Sequence, residues 1–71
     1  MTRRQRPRYP EIWVYFLDDP ADTPGLTVKT TRAMRREGVS NEEIDAYWDE
    51  IDAGGDPFEV TRRWVTLVVP G

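Results

Sequence analysis

The chain contains no cysteine and no histidine. The first absence excludes disulfides, and the two together exclude a structural zinc site of Cys and His ligands. They also remove the commonest general base and the best side-chain nucleophile. There is one lysine, Lys29, set among arginines; a lone lysine in such company reads as a solvated surface group. Glu42 and Glu43 are paired in sequence, but on neighbouring angles of a helix and not across a cleft. No glycine-rich phosphate loop is present, since Gly54-Gly55 reads as a helix stop. No run of alternating oxygen ligands with the glycine and terminal glutamate of a calcium loop occurs either. The expectation is a protein that is not an enzyme and holds no cofactor or metal.

Long hydrophobic runs are missing as well. The longest, Ile12 to Leu17, falls far short of the ~20 residues that cross a bilayer. No apolar stretch of signal-peptide length follows the basic start. These features point to a cytoplasmic protein with no membrane partner.

At 71 residues the chain is one domain at most. A domain of this size buries only ~60% of the surface its unfolded chain exposes, and one core supplies about 3–5 kcal/mol. With disulfide and zinc staples excluded, a partner chain is the remaining source of support, and a homodimer is its simplest form.

What is present is charge in blocks, which the net value of −3 conceals. Residues 1–8 carry Arg3, Arg4, Arg6 and Arg8 and no acid. Residues 26–37 carry Lys29, Arg32, Arg35 and Arg36 against Glu37. Residues 38–56 carry Glu42, Glu43, Asp45, Asp49, Glu50, Asp52 and Asp56 and no base. Adjacent helices commonly exchange opposite charges, so pairing within the fold is expected. A bipolar surface that steers a charged partner is the other reading.

Residues 1–9 lack apolar periodicity and read as a disordered basic tail ahead of one domain over 10–71. Residues 11–17 are a β-branched and aromatic run of strand length. Ile12, Val14 and Phe16 share one side of it; Trp13, Tyr15 and Leu17 share the other. Thr23-Pro24 has the form of an N-cap followed by proline at the first helical position, which starts a helix over about 24–37. Its apolar stripe, Leu26, Thr30, Ala33 and Met34, is weak, and Gly38 ends it. Ser40 and Glu43 make a capping box, with Val39 and Ile44 at the positions of a hydrophobic staple. Ile44, Tyr47, Trp48 and Ile51 then recur on one helical face over about 41–53. Asp56-Pro57 restarts a helix carrying Val60, Trp64 and Leu67. The stretch Trp64–Val69 fits a helix or a strand nearly equally, and a helix to about 66 with an extended end is the favoured form. The expected core is Ile12, Val14, Phe16, Met34, Ile44, Trp48, Ile51, Trp64 and Leu67.

A single strand cannot satisfy its own backbone groups. Residues 11–17 must therefore pair with the C-terminal segment, with a second copy, or with a target protein.

Residues 30–48 have the rhythm of a helix-turn-helix, but the second helix carries six acids and no base. Such a helix is repelled by phosphates. If nucleic acid is bound at all, the arginines of the tail (Arg3, Arg4, Arg6, Arg8) and the basic first helix make the contact. Three tryptophans and three tyrosines are many for this length, and both residue types anchor interfaces as well as cores. Trp13 and Tyr15 project from the strand side opposite Ile12, Val14 and Phe16. They are the first candidates for a partner surface, and Glu42, Asp45 and Asp49 on the second helix are the next.

The segment Ala33-Met34-Arg35-Arg36-Glu37-Gly38-Val39-Ser40-Asn41-Glu42-Glu43-Ile44-Asp45, followed by Gly54-Gly55-Asp56-Pro57 and Arg63-Trp64-Val65, resembles a group of short uncharacterised proteins of actinobacteria and their phages. Their pattern is an opening strand, an "ALRRAGV" helix end, an "EEIDEF" helix, an "SGDYDHLL" junction and a closing "RWV". The likeness spans about residues 26–66. It departs at Ala21-Asp22-Thr23-Pro24, where the group carries a Gly-Asn turn, and at Pro57-Phe58, which replaces an aromatic-acid pair. The resemblance implies one strand and three helices and supplies no catalytic residues. A phage origin implies a small modulator or inhibitor of a host protein. The expected fold is α+β: an N-terminal strand, three short helices and a possible short C-terminal strand. The expected function is a protein–protein interaction module that works by occluding a partner surface.

Overall fold

A computed structural model describes residues 6–17, 19 and 21–69. Strand β1 (Tyr9–Tyr15) is followed by helices α1 (Thr23–Arg36), α2 (Asn41–Asp52) and α3 (Pro57–Trp64) and by strand β2 (Val65–Val68). The strands pair in parallel, with Trp13 beside Thr66, Val14 beside Leu67 and Tyr15 beside Val68. A parallel pair needs a long crossover between its strands, and the three helices supply it. Of the three partners open to the lone strand, the C-terminal segment is the one it has.

Helix α3 stops at Trp64, two residues earlier than expected, and β2 takes over. Val65, Thr66 and Val68 are β-branched, and the ladder to β1 offers their backbone groups partners that a frayed helix end does not. The domain also begins slightly earlier. Tyr9 already lies in β1, and the Arg8 N–H donates to the Arg63 carbonyl at 2.9 Å. The expected tail over 1–9 thus joins the fold at its last two residues, while its residues 1–5 lie outside the described ones.

The caps follow the sequence with one shift. Asp22, not Thr23, caps α1, its carboxylate accepting from the Gly25 N–H at 3.1 Å. Thr23 is already helical. Ser40 caps α2 by accepting from the Glu43 N–H at 3.2 Å. The other half of that capping box is spent elsewhere: Glu43 turns to Arg8 and Tyr9. Asp56 caps α3 by backbone position alone. Gly38 (φ 86) and Gly54 (φ 98) take the left-handed conformation that ends α1 and α2.

The core lies between the inner sheet face and the helices. Ile12 and Val14 meet Ala33, Met34, Ile44, Tyr47, Val60, Trp64 and Val65 there, and Phe16 meets the edge of Phe58 at 5.9 Å. Tyr47, absent from the expected core, is wholly buried, with its hydroxyl 2.7 Å from Thr61 Oγ1. Trp48, Ile51 and Leu67 are only half-buried around it. The weak stripe of α1 is fully buried, and Thr27 and Thr31 are buried with it. Thr30 and Thr31 donate to the carbonyls one turn back at 2.8 and 3.0 Å, so the helix itself satisfies their hydroxyls.

Candidate functional site

The alternation of β1 sorts its aromatics. Ile12, Val14 and Phe16 point inward and are at most 3% exposed, while Trp13, Tyr15 and Leu17 point outward and are 55%, 51% and 67% exposed. The Trp13 and Tyr15 rings stack on each other, with centroids 6.2 Å apart and planes at 30°. Residues side by side in a parallel ladder share a face, so Thr66 and the half-buried Val68 extend this surface across β2. The helices occupy the other face. An outward patch of stacked Trp and Tyr with Leu and Val beside it is what partner surfaces contain, because these side chains gain most from being covered.

The same strand presents an open edge. The Phe16 N–H donates to the Val68 carbonyl at 2.9 Å, and the Thr66 hydroxyl donates to the Pro10 carbonyl at 2.8 Å. Residues 13–15 pair with 66–68 in unbroken register, whereas the ladder is irregular between Tyr9 and Trp13, so over residues 12–16 the even-numbered backbone groups turn toward β2. Along a strand these groups alternate in direction, so the N–H and C=O of Trp13 and Tyr15 turn to the side that β2 does not occupy. A groove of about 300 Å³ runs along that side, lined by Trp13, Val14 and Tyr15 from β1 and by Lys29, Arg32, Ala33 and Arg36 from α1.

Its electrostatics are one-sided. Two ion pairs form among the described residues, Arg8–Glu43 at 2.6 Å and Arg63–Glu50 at 3.3 Å, and neither involves α1. The pairing expected within the fold is made in part: Arg8 of the basic start meets Glu43 of the acidic block, whereas no ion pair among the described residues joins α1 to α2. The acids of α2 that do engage reach the N-terminal strand and α3: Glu43 accepts from the Tyr9 hydroxyl at 3.0 Å, and Glu50 accepts from Trp64 Nε1 at 3.1 Å. Glu42, Asp45 and Asp49 are left on the exposed side of α2. Among the described residues no group of three or more acidic side chains is placed to hold a metal ion, and no helix is long and apolar enough to cross a membrane.

Two tyrosines are shifted from their ordinary value of 10.0, both upward. Burial raises Tyr9 first and its bond to the Glu43 carboxylate adds to that; burial raises Tyr47 against the opposing bond to Thr61. Neither faces the groove, and both are structural.

The structure brings Trp13 and Tyr15 together and separates them from Glu42, Asp45 and Asp49, which belong to another face. Of the tail arginines, Arg3 and Arg4 lie outside the described residues, and Arg6 is exposed. Arg8 is engaged by Glu43, with its guanidinium 5.2 Å from the centre of the Trp64 ring. The cationic wall of the groove was not among the expected site residues. Its signal was the i, i+3, i+7 spacing of Lys29, Arg32 and Arg36, which puts them on one helical face. No family model, curated protein or solved structure matches the chain.

Proposed function

We propose that the protein is a small interaction module that binds a partner protein through the outer face of its two-stranded sheet. The observation that carries this reading is the exposed, stacked pair Trp13–Tyr15, continued by Leu17 and Val68. Covering one large apolar side chain is worth about 1.5–3 kcal/mol. Two aromatics and a leucine on one patch therefore hold enough free energy to anchor a complex without chemistry. The protein acts by occlusion: what it covers on the partner is no longer accessible. A host protein as target and a phage origin for the module belong to this reading through the resemblance of residues 26–66 described above. Homodimerisation belongs to it too, since two copies stacked by their outer sheet faces cover the same side chains. The acidic side of α2 serves as a second, electrostatic contact for a basic partner surface.

The test is capture of partners from host lysate by the wild-type protein and by W13A/Y15A, each with and without nuclease. A protein retained by the wild type after nuclease and lost by the double variant supports the reading. Equal capture by both variants overturns it. Capture that disappears with nuclease transfers the function to nucleic acid, bound by the arginine tail and the basic first helix. Sedimentation of both variants over micromolar concentrations tests the dimer. Substituting Glu42, Asp45 and Asp49 together and finding unchanged affinity removes the acidic face from the contact.

A further inference from the structure

We infer that the edge of β1 is a docking groove for an extended acidic segment of a partner protein, which adds to the sheet as a third strand. The inference rests on the interaction-module reading and gives its partner a chemistry. Three observations meet at one place. The N–H and C=O of Trp13 and Tyr15 turn away from β2, as the Phe16–Val68 bond and the unbroken register of residues 13–15 require. A groove of about 300 Å³ opens along that edge between β1 and α1. The α1 wall of the groove carries Lys29, Arg32 and Arg36 and no acid, and α1 takes part in neither ion pair among the described residues.

An unpaired strand edge recruits another strand through main-chain hydrogen bonds, and flanking side chains select the sequence. Side chains of an added strand alternate between the two sheet faces. Those on the helix side meet the three cations, and those on the outer side lie beside the Trp13 and Tyr15 rings. The preferred segment therefore alternates acidic with apolar or aromatic residues. A second copy of the chain fits the edge poorly. Two-fold pairing of β1 with its own copy sets two cationic walls against each other, and like charges brought together oppose association. A nucleic acid strand satisfies the cations but leaves the strand's donors and acceptors without the regular partners that another backbone provides.

The experiment follows the backbone amides of the full chain by two-dimensional NMR while a capped hexapeptide alternating glutamate and valine is added. The expected result is a shift of the Trp13 and Tyr15 amides and slower exchange of both with solvent. A capped lysine–valine hexapeptide has no such effect, and R32E weakens binding about tenfold, as loss of one charge-assisted contact does. Arg32 is exposed, so the variant folds; K29E is the second variant, with circular dichroism as the check on both. No response of these two amides to millimolar glutamate–valine peptide overturns the inference, as does an equal response to the lysine–valine peptide. So does occupation of the groove by an oligothymidine alone, or a shift of the same amides on concentrating the free protein, which assigns the edge to a second copy. If the peptide fails while W13A/Y15A still abolishes capture, the edge is wrong and the outer-face reading stands; if capture is also unaffected, both fall.

Discussion

Phenylalanine at position 47 is the most informative single change to the scaffold that holds the sheet in place. The Tyr47 hydroxyl lies 2.7 Å from Thr61 Oγ1, and both residues are wholly buried. This bond ties α2 to α3, the helix that runs directly into β2. Y47F removes one hydrogen bond, whose net worth is about 0.5–1.5 kcal/mol. It also leaves the Thr61 hydroxyl without its partner, which raises the cost to about 1–2 kcal/mol in all. T61V removes the same bond and leaves the buried Tyr47 hydroxyl without its partner, so it should cost about 1–2 kcal/mol as well. When both hydroxyls are removed, neither is left unpaired. The double variant Y47F/T61V should therefore cost less than the two single changes together, by at least ~0.5 kcal/mol. Urea unfolding followed by tryptophan fluorescence measures all four proteins. At ~1 kcal/mol per molar urea, Y47F moves the midpoint down by about 1–2 M, a large fraction of what a domain with ~3–5 kcal/mol of stability has. Strictly additive costs, or a Y47F midpoint within ~0.3 M of the wild type, refute the argument that this buried pair is mutually satisfied.

Other consequences follow from the caps, the turns and the tyrosines. D22A and S40A should each lower stability by about 1 kcal/mol, whereas D56A, whose side chain makes no cap bond, should cost a few tenths; thermal melts of the three separate these values. Gly54 has φ 98, and a methyl group added at its Cα would meet nothing within 4 Å, so G54A should cost about 1–2 kcal/mol through backbone strain alone, read from the same melts. Tyr9 and Tyr47 both hold their protons more tightly in the folded chain than in the unfolded one. Above pH 10 the folded state therefore binds more protons, and stability is full below that value and falls as pH rises through it. Y9F and Y47F should each flatten this alkaline loss in urea midpoints measured from pH 8 to pH 11.

Much of the architecture is readable from local chemistry. The inward and outward sorting of residues 12–17 follows from strand alternation, and Ser40 caps α2 because serine before Asn41-Glu42-Glu43 is a strong helix start. The stripe Leu26, Thr30, Ala33 and Met34 is weak as a sequence signal, yet all four are buried; threonine tolerates burial here because its hydroxyl finds a carbonyl one turn back. Tyr47 and Trp48 are neighbours on one face, and local periodicity does not say which is deeper. Tyr47 is the deeper of the two, and its hydroxyl meets Thr61, 14 residues away. The change from helix to strand at Val65 is likewise not local, because it depends on β1 lying alongside. For the site, Trp13 and Tyr15 were legible from alternation alone. The cations beside them were visible as a charge block, but their placement at the strand edge is tertiary. The charge blocks suggested pairing within the fold, and the acids of α2 do pair, with Arg8 and Arg63 and not with α1.

The most direct test of the central claim is the affinity of W13A/Y15A for a protein captured by the wild type, measured by titration calorimetry beside urea unfolding of both. Both side chains are about half exposed, so the half already covered makes the double change cost about 1.5–3 kcal/mol of stability, while binding weakens a hundredfold or more, the loss of about 3 kcal/mol of newly covered aromatic surface. Unchanged affinity of the folded double variant contradicts the claim that the outer sheet face is where this protein meets its partner.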